Sequence, residues 1–416
     1  MATAASLTDS GQADELREAM AGKLVDDGWI TSPAVETAFR TVPRHLFVPA
    51  ETPLEKAYDA NQSVVTKKRE DGTALSSVSA PWLQARMIDQ AGIEPGMRVL
   101  EVGSGGFNAA LLASIVGPDG AVASVDIDAD VTARASAALE EAGYGDRVEV
   151  VTADAEHGLP KFAPYDAIVV TVGAWDLAAS WLEQLTGAGR MAVPLLMNTF
   201  TRSLGLHRDG DHWVSTSAQL CGFVEMRGLG GHELRKAQLH DPNGGHVRLR
   251  FDQTAPDDLS VLEGVLERGP VQAWSGITIP EQVGFENLHL WLASFLPGFC
   301  RVDASKSVAL PDEEANKNWF GFGGVLGDSF AVMELRKTGV PGAEFEFGVR
   351  AFGPHADAAA ESLIAQITDW DTYGRDLPGD AFAYWPNGTE IPDLGSTIGR
   401  FRKTNGTATI AWPASK

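Results

Sequence analysis

Apolar residues recur first at helical spacing and later in short runs that alternate with helical segments. Leu16, Met20 and Leu24 are four positions apart and predict a helix over residues 13–28. A loop-rich stretch is expected from Pro43 to Thr73. Pro81 then starts a second predicted helix, since proline suits the first helical turn.

From residue 97 the pattern becomes a regular alternation. Strands are predicted at 97–102, 120–128, 147–154, 165–174 and 189–196, with helices at 108–116, 129–143 and 177–186. Consecutive strands that are separated by helices pair in parallel. The pattern therefore predicts an α/β fold with a doubly wound, mostly parallel sheet.

The pattern of apolar and polar residues changes after residue 200. Two strand-like runs flank the turn Asp209-Gly210-Asp211, and Gly228–Gly231 is a plausible boundary. Beyond it, strands are predicted at 329–337 and 344–353, a helix at 355–370 and a hairpin around Asn405-Gly406. These features predict domains at 1–232 and 233–416, the second a C-terminal α+β domain.

Charge and composition narrow the class of protein. The 416 residues carry a net charge of −23, and both parts of the chain are acidic: 18 − 32 = −14 over residues 1–235 and 15 − 24 = −9 over the rest. Nucleic-acid binding is therefore not expected. The only basic cluster, Lys67-Lys68-Arg69, is expected to be a solvated loop.

The cellular location and the oligomeric state are predicted from sequence features that the chain does not show. No apolar run reaches the length of a membrane helix, and the first residues do not resemble an export signal, so a cytoplasmic monomer is predicted. Only two cysteines are present. His232, His240 and His246 have no familiar metal-ligand spacing, so no metal site is predicted.

The strongest candidate for chemistry is the turn Gly103-Ser104-Gly105-Gly106 after the first of these strands. Glycines there let the backbone approach a ligand and expose helix N–H groups, although close strand–helix packing also favours glycine. Asp126 ends the next strand, where an acid can accept hydrogen bonds from ribose hydroxyls, and Asp154 ends the third. Each acid alone could be an ordinary turn residue.

The glycine spacing decides between two nucleoside cofactors. It is not G-x-G-x-x-G, which argues against NAD, and the lead-in Glu101-Val102-Gly103 is typical of S-adenosylmethionine-dependent methyltransferases.

Seven segments, in order, resemble protein-L-isoaspartate O-methyltransferase over about residues 14–228. They are Val42–Pro49 (VPRHLFVP), Ala57-Tyr58-Asp59, Ser77–Pro81 (SVSAP), Val99–Ala113, Asp126, Asp154 with Gly158-Leu159-Pro160, and Tyr165–Ala174. The resemblance implies a Rossmann-like class I methyltransferase fold with S-adenosylmethionine as cofactor and S-adenosylhomocysteine as product.

The resemblance also implies site residues. The acceptor carboxylate would be held by the hydroxyls of Ser79 and Ser77, the catalytic candidates, although Ser79 could instead cap the helix at Pro81. Cofactor contacts are expected from Ser79, Glu101, Val102, Gly103, Ser104, Gly105, Asn108, Asp126, Ile127, Asp154, Ala155 and Thr171. Substrate contacts are expected from Asp59, Val78, Ser79, Val172 and Trp175, of which Trp175 could equally be a core residue.

The chain departs from the family in three ways. The cofactor turn is one residue short, residues 61–75 form an insert, and residues 233–416 have no expected counterpart in the repair enzyme. The combination looks like the methyltransferases of ribosomally made, modified peptides, in the lanthipeptide, graspetide and FxLD systems. That resemblance implies methylation of an Asp in a modified precursor peptide, with collapse of the ester to an aspartimide that can hydrolyse to isoaspartate.

Three functions are therefore compatible with the sequence. The first is a peptide-tailoring Asp O-methyltransferase whose C-terminal domain binds the precursor. The second is an isoaspartate repair methyltransferase with an added domain. The third is a non-catalytic peptide-binding protein with a vestigial cofactor fold. Methyl transfer to an ionised carboxylate needs positioning rather than a base, so a site without a catalytic His or Lys fits the first two.

Overall fold

The structure is a computed structural model that describes residues 4–242, 244–304, 321–393 and 397–412, with side chains from residue 11. Its helices are α1 (Ala4–Asp26), α2 (Pro33–Thr41), α3 (Leu54–Ala57), α4 (Pro81–Ala91), α5 (Phe107–Val116), α6 (Ala129–Glu141), α7 (Ala179–Gln184), α8 (Glu286–Phe295) and α9 (Ala356–Tyr373). None of the helices in the described ranges is long and apolar enough to cross a membrane.

The strands of the first half are β1 (Val64–Lys68), β2 (Ala74–Val78), β3 (Arg98–Val102), β4 (Ala121–Asp126), β5 (Val148–Thr152), β6 (Tyr165–Val170), β7 (Leu185–Met197), β8 (Phe200–Asp209) and β9 (His212–Leu220). Those of the second half are β10 (Arg235–His240), β11 (His246–Phe251), β12 (Val271–Ile279), β13 (Phe299–Ala304), β14 (Gly321–Leu326), β15 (Ser329–Lys337), β16 (Phe345–Phe352), β17 (Phe382–Pro386), β18 (Thr397–Arg402) and β19 (Gly406–Trp412).

The predicted parallel sheet is present. β5, β4, β3, β6 and β7 are neighbours in that order and pair in parallel, with helices between them along the chain. Two apolar clusters lie on its opposite faces: Val99 and Val169 belong to one, and Leu100 and Ile168 to the other. Because neighbouring strand residues point to opposite faces, this alternation shows that the sheet is covered on both sides. The α/β, doubly wound prediction is confirmed.

A second sheet lies in the C-terminal region, where seven antiparallel strands follow the order β10-β11-β13-β14-β15-β16-β12. Helix α9 packs on β12, β14, β15 and β16, and α8 contacts both α9 and strand β8 of the first sheet. One apolar cluster runs through both halves and includes Trp213, Trp291 and Trp412. The two regions therefore share a continuous core.

Strands β17, β18 and β19 join the first sheet rather than the second. β17 pairs with β9 through Ala383–Val214 and Tyr384–Trp213, so the first sheet has ten strands. The predicted hairpin around Asn405-Gly406 is confirmed as β18–β19. The boundary at residue 232 stays a prediction, and strand pairing crosses it.

The loop prediction for residues 43–73 is wrong in one part. β1 and β2 form an antiparallel hairpin closed at Gly72, whose φ is +85°, with the Thr73 N–H donating to Asp71 Oδ1 at 2.8 Å. The β-branched run Val64-Val65-Thr66 before an Asp-Gly turn favours such a hairpin. The inserted residues 61–75 therefore supply most of this hairpin.

Candidate functional site

The glycine-rich turn after β3 is held by close contacts that exclude other residues. Gly103 has φ +96°, and a Cβ there would lie 2.6 Å from Thr171 Oγ1. Gly106 has φ +84°, and its Cβ would lie 2.9 Å from the Phe47 ring. Any larger residue would strain the backbone and clash, so the turn needs glycine at both positions.

An open cavity lies beside this turn, at the carboxyl ends of β3, β4 and β6. Its lining comes from six segments of the chain: Leu75, Ser76 and Ser77; Val102, Gly103, Ser104 and Gly105; Val125, Asp126 and Ile127; Ala155; Thr171 and Val172; and Val224, Glu225, Met226 and Arg227. Ligands of open α/β sheets bind at this edge of the sheet. We call this cavity the cofactor pocket.

The predicted site residues divide between this pocket and its surroundings. Those that line it are Ser77, Val102, Gly103, Ser104, Gly105, Asp126, Ile127, Ala155, Thr171 and Val172. Those outside its lining are Asp59, Val78, Ser79, Glu101, Asn108, Asp154 and Trp175. Sequence reasoning missed the contributions of Leu75, Ser76 and the segment 224–227. Leu75 and Ser76 belong to the β1–β2 hairpin. Segment 224–227 directly precedes the predicted boundary at Gly228–Gly231, so its pattern indicated no ligand contact.

Asp126 stands at the end of β4 with its carboxylate facing the turn. Its Oδ2 accepts a hydrogen bond from the Ser104 N–H at 3.2 Å, and its Oδ1 accepts one from the Asp128 N–H at 2.9 Å. The Arg227 guanidinium lies 3.7 Å from Oδ1. The carboxylate is thus fixed in orientation at the rim of the pocket, as a ligand for ribose hydroxyls must be.

Asp128 joins two segments that border the pocket. Lys67 of β1 lies 2.8 Å from its carboxylate, and Arg227 lies 3.1 Å away. Burial opposes ionisation of Asp128, but the hydrogen bonds from Lys67 and Arg227 outweigh it and lower the pKa to about 2. The expectation that residues 67–69 form only a solvated loop is therefore wrong for Lys67, which is paired.

Asp154 is engaged by backbone rather than turned into the pocket. Its Oδ1 accepts from the Glu156 N–H at 3.0 Å and its Oδ2 from the Leu229 N–H at 2.8 Å. The second bond ties segment 224–231 to the end of β5. Residues 224–226 are in turn anchored by hydrogen bonds to Gly173, so this segment crosses the carboxyl edge of the sheet as a strap.

Glu101 lies fully buried beneath the turn. The Ser124 hydroxyl is 2.5 Å from its Oε2 and 2.9 Å from the Ser104 hydroxyl. Burial raises the pKa of Glu101 to about 7, and the hydrogen bond from Ser124 acts in the opposite direction. Glu101 is therefore placed to support the turn from below. Asn108, also buried, stands at the start of α5.

Arg44 gathers three of the resemblance segments around one buried guanidinium. It donates to the Ala57 carbonyl at 2.7 Å, to the Ser79 carbonyl at 2.8 Å and to Gln84 Oε1 at 3.0 Å. Burial lowers the pKa of Arg44 to about 9. Sequence reasoning gave Arg44 no role, although it is the arginine of VPRHLFVP. Its bonds fix the backbone that carries Ser79.

The two candidate serines lie on β2 and just after it. The Ser77 carbonyl is 3.7 Å from the place that a Gly105 Cβ would occupy, so Ser77 sits over the glycine-rich turn. Helix α4 begins at Pro81 with Ala80 as its N-cap residue and no side-chain cap. The alternative that Ser79 caps this helix is wrong, which leaves its half-buried hydroxyl available to a ligand. Val78 is buried, and Asp59 accepts from the Asn61 N–H in a local turn.

Trp175 lies at the junction with the C-terminal region. Its Nε1–H donates to Asp252 Oδ1 at 2.9 Å, and its ring stacks on His232 at 4.2 Å between centroids. The Lys403 ammonium lies 4.5 Å above the ring, and burial lowers the pKa of Lys403 to about 8. Trp175 is half-buried, so it is not a core residue, and its contact with the substrate stays a prediction.

The histidines near the junction are paired with neighbouring residues. His232 Nε2 lies 2.7 Å from Asp252 Oδ1, and His240 is opposite His246 across β10 and β11. Within the described ranges, no three His, Cys, Asp or Glu side chains are arranged to hold a metal ion. No histidine or lysine lines the described wall of the cofactor pocket. The pocket thus has a close-packed glycine turn, a carboxylate of fixed orientation and adjacent hydroxyls, and these groups fit S-adenosylmethionine.

Comparisons with known proteins cover the same part of the chain. The protein-L-isoaspartate O-methyltransferase of Hyperthermus butylicus is 36% identical over 189 residues, 44% of this chain and 75% of that protein. A second such enzyme, from Archaeoglobus fulgidus, is 39% identical over 183 residues, 44% of this chain and 79% of that protein.

One solved structure, of a protein named protein-L-isoaspartate O-methyltransferase, reaches further. It has a TM-score of 0.50 at 21% identity, and it covers 88% of this chain and 95% of its own. A match of 88% extends past residue 232, so the expectation that the C-terminal region lacks any counterpart in such a protein is wrong at the level of fold.

The family profile described as protein-L-isoaspartate(D-aspartate) O-methyltransferase (PCMT) matches residues 15–228, which is 214 of 416 residues. This is just over half of the chain and contains the whole cofactor pocket. The chain belongs to the PCMT family and is an S-adenosylmethionine-dependent protein carboxyl O-methyltransferase.

Proposed function

We propose that the chain methylates the free α-carboxylate of L-isoaspartyl residues in peptides or proteins. The observation that carries the proposal is the family match over residues 15–228, which contains both the pocket and the Ser77–Ser79 segment above it. The relatives of Hyperthermus butylicus and Archaeoglobus fulgidus bear the name of this activity.

The residues of this chain account for the reaction by positioning. S-adenosylmethionine supplies a methyl group on a sulfonium, which is already activated for transfer. The acceptor carboxylate is ionised at neutral pH, since peptide carboxyls have a pKa near ~4. Ser79, whose carbonyl is held by Arg44, would donate a hydroxyl hydrogen bond to one carboxylate oxygen and aim the other at the methyl group. A basic side chain is not required.

A second candidate is methylation of an Asp side chain in a ribosomally made, modified precursor peptide, followed by aspartimide formation. The observation that favours it is the C-terminal region, which lies outside the family match. Asp252 of this region lies 2.7 Å from His232, which directly follows the strap beside the pocket. For both candidates we propose that residues 233–416 bind the peptide. We also propose that the other site residues predicted from the sequence contact the cofactor or the substrate.

Mass spectrometry distinguishes the two candidates. The enzyme is incubated with S-adenosylmethionine and each of three acceptors: an L-isoAsp peptide, its L-Asp counterpart, and the modified precursor encoded beside the gene. Methylation of the isoAsp peptide alone supports the first candidate. Methylation of the precursor followed by loss of methanol supports the second. Transfer to none of the three would contradict both.

A variant pair controls for contaminating activity. Asp126→Asn removes a charge at the pocket rim, whereas Asp146→Asn removes one from an exposed 3₁₀ turn. Transfer that survives Asp126→Asn unchanged would show that the assigned pocket is not the site. Calorimetry with S-adenosylhomocysteine on the same proteins tests the third possibility, a binding protein without catalysis: cofactor binding with no methyl transfer to any acceptor would support it.

A further inference from the structure

Basic side chains form a continuous patch at one edge of the C-terminal sheet. Lys236 on β10 lies opposite Arg250 on β11, and Arg250 lies opposite Arg301 on β13. Arg248 lies in the next row, opposite Asp303. We call the side chains Lys236, Arg248, Arg250 and Arg301 the basic face.

The alternation of buried and exposed residues shows which way this face points. On β10 and β11 the intervening residues Ala237, Leu239, Val247 and Leu249 are buried in the apolar cluster behind the sheet. Lys236 and Arg248 are exposed, and Arg250 and Arg301 are half-buried. Since the strand period is two, the basic side chains share the outer surface.

The charge of the face is opposite to that of the chain. Among the residues that the structure describes on these three strands, the four basic groups are accompanied by one acid, Asp303, which lies 2.5 Å from Arg250 and 3.8 Å from Arg301, so this set carries 4 − 1 = +3. The whole chain carries −23. Burial, and then the charge of Arg250, lower the pKa of Arg301, as expected where like charges are close.

The same place offers an open sheet edge. β10 is the terminal strand of its sheet and pairs with β11 alone among the described strands. Edge strands expose unpaired N–H and C=O groups, and proteins often protect them with charged side chains. Lysine on an edge strand serves that protection, and Lys236 is of this kind. Arg248 and Arg250 lie on the second strand and Arg301 on the third, so protection of the edge does not explain them.

We propose that the basic face and the open edge of β10 bind an extended, acidic segment of the peptide substrate, away from the residue that is methylated. The peptide backbone would add a strand to β10, and its carboxylates would lie along the basic face. The inference rests on the proposed function, because it takes the partner to be that substrate. A strand edge matches a peptide backbone, and the overall negative charge disfavours nucleic acid.

Fluorescence anisotropy with the full chain tests the site without catalysis. The probe is a labelled peptide of alternating Glu and Val, which has no acceptor residue. The double variant Lys236→Glu and Arg248→Glu should weaken binding at least about tenfold, since attraction becomes repulsion. Arg268→Glu with Lys337→Glu is the matched control: both residues are exposed in the same region, and the net charge changes equally. Its affinity should stay within about twofold.

Further probes test whether the peptide pairs with the strand edge and whether the partner is an acidic peptide. A peptide with proline in place of each valine should bind more weakly, because it lacks every second backbone N–H and the fixed φ of proline disfavours strand pairing. The neutral pair Lys236→Gln and Arg248→Gln should show an intermediate loss, which guards against misfolding of the reversed variant. Equal loss in the test and control pairs, equal binding of a Lys-Val peptide, or tighter binding of single-stranded oligothymidylate would overturn the proposal.

The outcome is independent of the proposed activity. Methylation of the three acceptors is measured on the same preparations. An enzyme that methylates a peptide but does not bind the Glu-Val probe refutes the docking face alone. A protein that binds the probe at the basic face but transfers no methyl group retains the face and refutes the activity.

Discussion

The Lys67 ammonium lies 2.8 Å from Asp128 and so ties the inserted hairpin to the end of the strand that carries Asp126. Lys67 also lies 2.7 Å from Asp130. The hairpin brings Leu75, Ser76 and Ser77 to the cofactor pocket. One wall of the pocket is therefore formed by this hairpin, and the insert contributes Leu75 to it.

Lys67→Met should weaken cofactor binding by about threefold at low salt, because the hairpin loses its tie to Asp128 while the ribose acid stays in place. Isothermal titration with S-adenosylhomocysteine measures the effect, which should shrink at high salt. Lys23→Met, which breaks an exposed ion pair with Asp27 on α1, is the control. Equal affinities for wild type and Lys67→Met at low salt would show that the hairpin is held by other contacts.

Ser79→Ala should lower the methylation rate about tenfold or more with cofactor affinity unchanged, since it removes a hydrogen bond to a charged acceptor. The comparison variant is Ser32→Ala, a serine before a Pro-initiated helix that makes no side-chain capping bond. Initial rates with the acceptor established by mass spectrometry, together with calorimetry, separate the two effects. Full activity of Ser79→Ala would remove the serine from the site.

Glu101 predicts a pH dependence of stability. Its pKa is raised from 4.5 to about 7 on folding, so its contribution is fully present below about pH 4.5 and is lost as pH rises through about 7. The loss is on the order of 3 kcal/mol. Urea unfolding between about pH 5 and pH 8.5 should show this decline in wild type and a flatter profile in Glu101→Gln. Parallel profiles would mean that Glu101 ionises equally in both states.

Asp252→Ala should destabilise the protein by about 1–3 kcal/mol, because the Trp175 Nε1–H and His232 lose their shared acceptor at a part-buried site. Denaturant unfolding gives the free energy. Asp257→Ala removes an exposed carboxylate nearby and should change stability little. If the two variants unfold alike, the junction contributes no net stability.

Local patterns were sufficient to predict the parallel half of the fold. Its strands and helices have strong apolar periodicity, and the ligand-facing residues lie directly after strands, where the chain order itself places them. Gly103 and Asp126 are of this kind, and both line the pocket.

The residues that sequence reasoning missed depend on contacts between distant segments. Arg227 reaches Asp128 across 99 positions, and Arg44 reaches Ser79 across 35. Single-sequence periodicity contains no information on such pairs. The pairing of β17 with β9 also joins distant segments, one from each half of the chain. The sequence pattern of either strand alone does not indicate that partner.

The junction of β9 with β17 also bears on the order in which the protein can be assembled. A ribosome delivers β9 long before β17, and 161 residues separate Leu220 from Phe382. Throughout that interval the nascent chain presents an open strand edge beside the largely buried Trp213, a surface prone to pairing with other chains. Synthesis of β17 to β19 covers the β9 edge, so the sheet of the catalytic half is completed only by the last strands that the structure describes.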